Sequence, residues 1–460
     1  MTTNTKTVIA SNRFGFGAKP GDLSRIGTSP REWLQRQIER PAGLSANRAD
    51  LKSSREAVQS FLSLRDKKRE KDVSAGVIRM ARSMRPVYMD FVMARSIQAI
   101  QSPSPFYERL VHFWSNHFAV SADKPQMLGL VGTLEFEAIR PHVNGRFSEM
   151  LMAVEKHPAT LTYLDNFQSI GPNSLIARHA GKRKRERKFG INENLAREIL
   201  ELHTLGVNGG YSQTDVTNFA KVITGWTYGG VFKNRADRGK AGEFVFNELM
   251  HEPGSQRVMN RSYTHKGIKQ GEAVLRDLAN HEQTAAHLAG KLARHFISDT
   301  PSSESIGKLS QAYLQSDGHL PTVYSTLIGL DEVWDLTFSK YKTPNDYVYS
   351  VFRTLNFIPE TPEQIAGPLS VLGQAPFRSG SPAGWPDTAT DWTGGEALFK
   401  RVEFAVSVAD KVGNRIDPLA LSELILGQTL SEQTRQSLSR AESGQQGLAL
   451  LFASPEFQRR

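Results

Sequence analysis

The sequence predicts an all-α protein: a single large multi-helix domain with two long loop inserts and a small β-hairpin. Apolar residues recur at helical spacing through most of the 460 residues, and 39% of the chain is apolar while 23% is charged, as in ordinary folded proteins. Neither an internal repeat nor a clean linker divides the chain. We therefore expect one α-helical domain that spans residues 1–460.

The predicted helices follow from apolar periodicity and from the Ser, Pro and Gly residues that bound them. Ser29 and Pro30 are typical of a helix start, and Trp33, Leu34 and Ile38 then recur at helical spacing. The same reasoning predicts helices near 49–69, 78–101, 106–117, 124–140, 147–155, 158–166, 269–280, 282–297, 301–315, 345–355 and 362–372, and three more at the C-terminal end.

Irregular inserts are predicted near residues 170–190, 229–265 and 373–395. The second is rich in Gly, Asn and Arg, and its alternating segment 243–247 predicts the strand of a small hairpin. The third holds several Pro and Gly residues, which indicate a structured, turn-rich loop. Long loops within a compact fold often carry function.

Charge and cysteine content exclude several classes of function. The chain has no Cys, so it has no disulfide, thiolate metal site or Cys nucleophile. Much of its net charge of +10 lies in residues 178–188, RHAGKRKRERK, with seven Lys or Arg and one Glu. A solvated loop is the simplest interpretation, and the alternatives are contact with an anionic polymer or binding of phosphate or sulfate near residues 190–226. Because no aromatic residues interleave the run, nucleic-acid binding is disfavoured.

Neither a signal sequence nor a membrane span is predicted. The first apolar patch, Val8 to Ala10, is too short for the hydrophobic region of a signal peptide. No stretch approaches the roughly 18 apolar residues that a membrane helix needs. As written, the sequence therefore predicts a cytoplasmic protein.

The densest polar segment is GINENLAREILELHTLGVNGGYSQTDVTNFAKVITGW, residues 190–226. On a regular helix, Asn194, Arg197, Glu198 and Glu201 share an arc of about 100°. Arg197 and Glu201 could form an ordinary surface pair. Alternatively, Glu198 and Glu201 line a cleft as acid/base groups or metal ligands, with Asn194 and Arg197 binding substrate.

Metal binding is a second interpretation of this segment, with His117, His203 and Glu198 as ligands brought together by folding. On a regular helix His203 lies about 140° from Glu198, so the two could not share one ion unless the helix ends or unwinds near residue 202. The following glycines make such an ending plausible. A divalent metal is therefore the only cofactor considered, and none is predicted by the preferred interpretation.

Two aspartates are further catalytic candidates. Ser212 and Asp215 have the spacing of a capping box, so Asp215 is either a helix cap or a catalytic acid. Asp165 lies at the end of the predicted helix 158–166 and could reach a cleft as the partner of Glu198 or Glu201.

A third set of residues is expected to bind substrate. His112 and Asn116 are four residues apart on a predicted helix, which gives them a common polar face. Trp114, Trp226 and Trp385 are aromatic residues near polar side chains, a combination that suits sugar recognition, and Tyr211 is a further substrate-binding candidate.

Other signals are weaker. Single histidines such as His287 and His295 are usually structural, and Asp387, in the sequence Trp-Pro-Asp, could reach a cleft. The chain has no P-loop, no dinucleotide-binding glycine motif and no Gly-x-Ser-x-Gly elbow. Nucleotide-dependent and serine-esterase chemistry are therefore disfavoured.

The sequence resembles the bacterial family called domain of unknown function 1800 over nearly its whole length. The resemblance rests on HFWSNHFAVS, HPATLTYLDN, GINENLAREILELHTLGVNGGYSQTDV, ITGWT, KLARHFISD and GWPDT, in this order. Many members carry export signals and are encoded next to a family resembling alkaline phosphatases and sulfatases, domain of unknown function 1501. The resemblance implies a polymer-related role and a periplasmic or extracellular location, and a protein of that neighbouring family as a partner. The absence of a visible signal departs from those members.

Three functions remain open at this stage. The preferred one is a hydrolase that acts on a glycan or similar polar polymer by carboxylate acid/base chemistry. The second is a metal-dependent enzyme with His and Glu ligands. The third is a non-catalytic binding or assembly partner that contacts an anionic polymer through the basic loop.

Overall fold

The computed structural model describes residues 5–44, 51–66, 73–182, 190–231, 239–335 and 340–460. Within these ranges the chain is mainly helical, with two small two-stranded sheets. The fold class predicted from the sequence, all-α with irregular inserts, is confirmed.

Six helices lie within the described residues of the N-terminal part. They are α1 (Thr5–Arg13), α2 (Asp22–Ile26), α3 (Pro30–Glu39), α4 (Ser54–Asp66), α5 (Val73–Gln101) and α6 (Pro105–His117). Helices α3 and α6 each begin at a proline that follows a serine, because proline's fixed φ suits the first turn and its missing N–H is not needed there. The predictions for α3 and α6 agree with the structure within one residue at their starts.

In the middle part of the chain, short α-helices alternate with 3₁₀ and π-helical turns. Its helices are α7 (Val131–Thr133), α8 (Phe147–Glu155), α9 (Pro158–Tyr163), α10 (Leu175–Lys182), α11 (Asn194–Glu198) and α12 (Gln213–Val222). Short 3₁₀ turns lie at Met127–Gly129, Arg140–His142 and Asn166–Gln168, and π-helical turns at Leu134–Ile139 and Ile199–His203. The regular helix predicted over residues 124–140 is therefore wrong, since this stretch combines three helix types.

Two hairpins lie in the second insert, where one was predicted. Strand β1 (Trp226–Tyr228) pairs antiparallel with β2 (Phe244–Phe246), and β3 (Gln256–Val258) pairs antiparallel with β4 (Arg261–Tyr263). The alternating segment 243–247 does contain a strand. The partner strand β1 was not predicted, because it is wholly buried and its sequence does not alternate.

The C-terminal half returns to helix. Its elements are α13 (Ile268–Ala279), α14 (Glu282–Phe296), α15 (Ser303–Gln315), α16 (Leu320–Gly329), α17 (Pro344–Thr354), α18 (Glu363–Val371), α19 (Gly395–Val412), α20 (Pro418–Leu426), α21 (Glu432–Ser439), α22 (Gly444–Ala453) and α23 (Pro455–Gln458). Helix α16 was not predicted, and five helices rather than three close the chain.

One main apolar core ties both ends of the chain together. It extends from Val8 in α1 to Phe457 in α23. Helices α6 and α14 meet in this core through Phe106 and Phe296, whose ring centroids lie 5.7 Å apart. Because both helices are fixed here, the polar faces that they turn away from the core are fixed relative to each other.

The inserts differ in character. The first contains α10, and most of its basic run, residues 183–189, lies outside the described residues. The third, residues 373–395, has a single 3₁₀ turn at Ala389–Asp391 and crosses in front of α6. Of the helices within the described ranges, none has both the length and the apolar character to cross a membrane.

Candidate functional site

A cavity of about 410 Å³ lies between α6, α14, the start of α17 and the third insert. Its volume is within the range of sites that bind small molecules or parts of larger ones. Arg95, Arg109, Lys291 and Arg294 contribute positive charge to its lining, and Asp346, Asp387 and Asp391 contribute negative charge. This cavity is the candidate functional site.

One face of α6 lines the cavity with Arg109, His112 and Asn116. Residues three and four apart share a helix face, so the pair predicted to bind substrate, His112 and Asn116, does point to one side. The His112 ring packs edge-on against Phe16 and Tyr349, and its Nε2 is buried without a hydrogen-bond partner. Burial lowers the pKa of His112 well below 6.5, with nearby arginines adding to the effect, so the ring is neutral at pH 7.

Asn116 holds the third insert in place. Its Nδ2 donates to the carbonyl of Trp385 at 2.9 Å, and the backbone N–H of Trp385 donates to its Oδ1 at 2.7 Å. Gly384 permits this approach, because a Cβ there would lie 2.3 Å from the Asn116 carbonyl oxygen. Both polar atoms of the Asn116 side chain thus have backbone partners in Trp385, so Asn116 positions the third insert.

One face of α14 lines the opposite side with His287, Lys291, Arg294 and His295. Their spacing of four, seven and eight residues places them on one arc of about 100°. Burial lowers the pKa of His287 and of His295 to about 4, and that of Lys291 to about 8. At pH 7 both histidines are therefore neutral while Lys291 remains mostly protonated.

Asp387 orients His295. His295 Nδ1 lies 2.7 Å from Asp387 Oδ2, while His295 Nε2 is buried and has no hydrogen-bond partner among the residues that the structure describes. Since an ionised carboxylate only accepts hydrogen bonds, Nδ1 carries the proton and Nε2 presents its lone pair. Burial disfavours charge on Asp387, but His295, Lys340 and Arg460 outweigh this and lower its pKa. The result is a neutral imidazole held beside a carboxylate.

A second buried network supports the floor of the cavity. Arg109 Nη2 lies 3.1 Å from Asp346 Oδ1, and Arg460 Nε lies 3.1 Å from Asp346 Oδ2. Burial opposes ionisation of Asp346, but the two guanidinium groups lower its pKa to about 2. Arg460 also reaches Asp387 at 3.2 Å, and its backbone N–H donates to the carbonyl of Lys340. One arginine near the end of the chain therefore links both carboxylates of the site.

The π-helical turn at Ile199–His203 connects the central polar segment to the cavity. Two of its carbonyl oxygens accept bonds from rings of the cavity: that of His203 from His117 Nε2 at 3.1 Å, and that of Leu202 from His287 Nε2 at 3.2 Å. His203 Nδ1 in turn lies 2.8 Å from Glu155. The segment thus fixes the tautomers of His117 and His287.

The unwinding near residue 202 considered from the sequence takes the form of this π-turn, in which residues five apart lie closer to one face than on an α-helix. His117 and His203 have ring centroids 6.2 Å apart. Across the ranges that the structure describes, no three His, Asp or Glu residues are arranged to hold a metal ion. The metal-ligand roles of His117 and His203 therefore gain no support from their arrangement.

Glu198 and Glu201 lie outside the cavity lining, each half-buried. Glu201 accepts a bond from Tyr211 at 3.2 Å. Arg197 pairs with Glu193 at 3.4 Å and donates to Gln213, rather than pairing with Glu201. Burial raises the pKa of Glu198, with Glu201 adding to the shift and His203 opposing it. Asn194 is exposed on the first turn of this helix.

The two candidate aspartates have structural partners. Asp215 forms the predicted capping box with Ser212 and also accepts from the backbone N–H of Met259 at 2.8 Å, which attaches the second hairpin to α12. Asp165 adopts a left-handed conformation with φ 56° and pairs with Lys124 at 2.8 Å. It lines a separate cavity of about 360 Å³ beside α4 and β1.

The two tryptophans Trp226 and Trp385, both predicted to bind substrate, lie in different surroundings. Trp226 is wholly buried, with Phe244 against its ring and Gly271 at its edge, so it does not reach a surface. Trp385 is half-buried and lines the candidate site, and its ring centroid lies 6.2 Å from that of Trp392. Only Trp385 of this pair is placed to contact a ligand.

Four residues that line the cavity were not predicted from the sequence: Arg109, Lys291, Arg294 and Asp346. His295 was expected to be structural. One signal was available, since His287, Lys291, Arg294 and His295 have the spacing of a single helix face. No local signal links Asp346 or Arg460 to this face, because they come from distant parts of the chain.

The comparison with known proteins identifies the family and no function. No curated protein and no solved structure matches the chain. The model of the family described as "Protein of unknown function (DUF1800)" matches residues 9–459. This range includes every element around the cavity, and the chain therefore belongs to the DUF1800 family.

Proposed function

We propose that the chain is a hydrolase that acts on an ester of a glycan or similar polar polymer, with His295 as its general base. One observation carries the proposal: a neutral His295, oriented by Asp387 and with no hydrogen-bond partner for its Nε2 among the described residues, lines a cavity large enough for part of a polymer. Oriented imidazoles with a free nitrogen are the commonest general bases in enzymes. The proposal revises the choice of catalytic groups from the carboxylate pair of the central segment to this dyad.

In the proposed step, a water molecule attacks the electrophilic atom of the ester. Its oxygen bonds to that atom while His295 Nε2 takes one of its protons, and the bond to the leaving oxygen breaks. The leaving oxygen receives a proton from the ammonium group of Lys291, whose pKa of about 8 suits a general acid near neutral pH. Asp387 stays ionised throughout and stabilises the imidazolium that forms.

Support for a polar polymer as substrate comes from the third insert. The half-buried Trp385 lines the cavity, and Asn116 holds its backbone through two hydrogen bonds. Aromatic rings next to charged and amide groups suit sugar-like ligands, whose rings have apolar faces and polar edges.

The test is a hydrolysis screen with a matched variant. Purified protein is incubated with acetylated, sulfated and phosphorylated polysaccharides, and the released acetate, sulfate or phosphate is measured by ion chromatography. We expect hydrolysis of at least one class, and its loss in His295→Asn. His265→Asn, at an exposed position, is the control and should retain activity. No release from any class, or equal release by His295→Asn, would overturn the proposal.

A second candidate function keeps the carboxylates as catalytic groups. The raised pKa of the half-buried Glu198 favours it, because a protonated carboxyl can serve as a general acid. Glu198→Gln and Glu201→Gln would then abolish cleavage of glycosidic bonds, measured as new reducing ends. The two functions are separable, since these variants leave the His295 dyad intact.

A further inference from the structure

We infer that the cavity binds an oxyanion of its substrate, a sulfate, phosphate or carboxylate group, between Lys291 and Arg294. The inference rests on the proposed function, in that it names the chemical class of group held beside His295. It depends on three features of the cavity: two unpaired cations, carboxylates already committed to other partners, and a buried ring nitrogen without a partner.

The two cations are adjacent on the cavity face of α14. Lys291 and Arg294 are three residues apart and both line the cavity. Neither forms an ion pair with any carboxylate in the described ranges of the chain. By contrast, the other two lining cations are paired, Arg95 with Glu135 and Arg109 with Asp346.

The carboxylates that line the cavity have other partners. Asp387 contacts His295, Lys340 and Arg460, and Asp346 contacts Arg109 and Arg460. The exposed Asp391 at the rim accepts a bond from Thr388. The charges of Lys291 and Arg294 are therefore left for a ligand.

His112 provides an independent indication of a polar ligand. His112 lines the same cavity, its side chain is about nine-tenths buried at 8% exposed, and its Nε2 has no hydrogen-bond partner in the part of the chain that the structure describes. Buried polar atoms of this kind normally have a partner, so a group that completes the site must itself be polar. An arginine and a lysine side by side favour an anion over a neutral amide or hydroxyl, because a charge-assisted hydrogen bond is roughly twice as strong as a neutral one.

The experiment measures occupancy of the cavity by its effect on the reactivity of Lys291. The full chain is trace-labelled with acetic anhydride at pH 8 in sodium sulfate, sodium phosphate, sodium acetate or sodium chloride at equal ionic strength. Peptide mass spectrometry then gives the acetylation rate of each lysine. We expect at least one oxyanion to slow acetylation of Lys291 by about tenfold at saturation, relative to chloride. Lys269, exposed on α13, is the internal control and should react equally in all four salts.

Two variants separate this inference from the proposed hydrolysis. Arg294→Gln should raise the anion concentration needed for protection by about tenfold, as expected for losing one charged donor. His295→Asn should keep the protection even though it abolishes hydrolysis. Equal Lys291 reactivity in all four salts would overturn the anion site, whereas protection without hydrolysis of any ester would overturn only the proposed function. Which of the three oxyanions protects best identifies the substituent.

Discussion

His295 Nδ1 lies 2.7 Å from Asp387 Oδ2, although the two residues are 92 positions apart in the chain. The contact brings a histidine of α14 and an aspartate of the third insert to one cavity. The other ring nitrogen, Nε2, is buried and has no hydrogen-bond partner among the described residues.

Asp387→Asn tests how far the carboxylate contributes to the base. We expect a loss of about 10²–10⁴-fold in kcat with a much smaller change in KM, because the imidazolium formed in the step loses its counter-charge. The assay is release of the ester group identified in the hydrolysis screen. Asp410→Asn, at an exposed position on α19 outside the cavity lining, is the matched control and should keep its kcat. An unchanged kcat in Asp387→Asn would show that the dyad is structural.

Asp346→Asn tests the buried ion network below the cavity. The change leaves Arg109 and Arg460 short of a counter-charge in a buried site, and breaking such a network costs about 3–5 kcal/mol of unfolding free energy. Chemical denaturation followed by circular dichroism measures it. Glu304→Gln, which removes an exposed pair with Lys308, should leave the free energy of unfolding nearly unchanged. Equal stability of both variants and the wild type would contradict this prediction.

The buried neutral histidines predict loss of stability in mild acid. The pKa values of His287 and His295 are lowered to about 4, and the unfolded value is about 6.5. Between these values the unfolded chain binds more protons, so stability is fully present above pH 6.5 and is lost as the pH falls toward 4. Glu108 and Glu198, whose pKa values burial raises, offset part of this loss.

Urea denaturation at pH 7 and pH 5 measures that effect. Each histidine contributes a slope of up to about 1.4 kcal/mol per pH unit, so the free energy of unfolding should fall by more than 1 kcal/mol, as an order of magnitude. His287→Gln should show a shallower dependence on pH than the wild type. A wild-type free energy of unfolding that is the same at both values would refute the prediction.

Gly384→Ala tests the attachment of the third insert. The residue has φ 82°, and a Cβ would lie 2.3 Å from the Asn116 carbonyl oxygen and 2.8 Å from its Oδ1. We expect the bonds between Asn116 and Trp385 to break, with a cost of roughly 1–3 kcal/mol and faster hydrogen exchange across residues 376–391. Gly394→Ala, with no atom within 4 Å of its Cβ position, is the control and should exchange like the wild type.

Several local features could be read from the sequence. Ser-Pro steps predicted where α3 and α6 begin, the Ser212–Asp215 spacing predicted a capping box, and the spacing of His112 and Asn116 placed both on one face. These follow from short-range geometry, in which the backbone and a few neighbours decide the outcome. The glycines after residue 202 indicated that the helix could end or unwind there. They did not predict a π-helical turn at Ile199–His203, because two carbonyl oxygens of that turn accept hydrogen bonds from His117 and His287, which lie on other helices.

The sequence by itself determined the mainly helical class, the irregular inserts and the membership of a family, since apolar period, turn residues and long motifs are all local properties. Only the tertiary structure decided which polar residues meet. It left Glu198 and Glu201 outside the lining of the candidate site and buried Trp226, and it brought together His295, Asp387 and Arg460 from three separate segments. The physical reason is that burial, which sets both pKa and accessibility, depends on the packing of distant elements and leaves no trace in residue spacing.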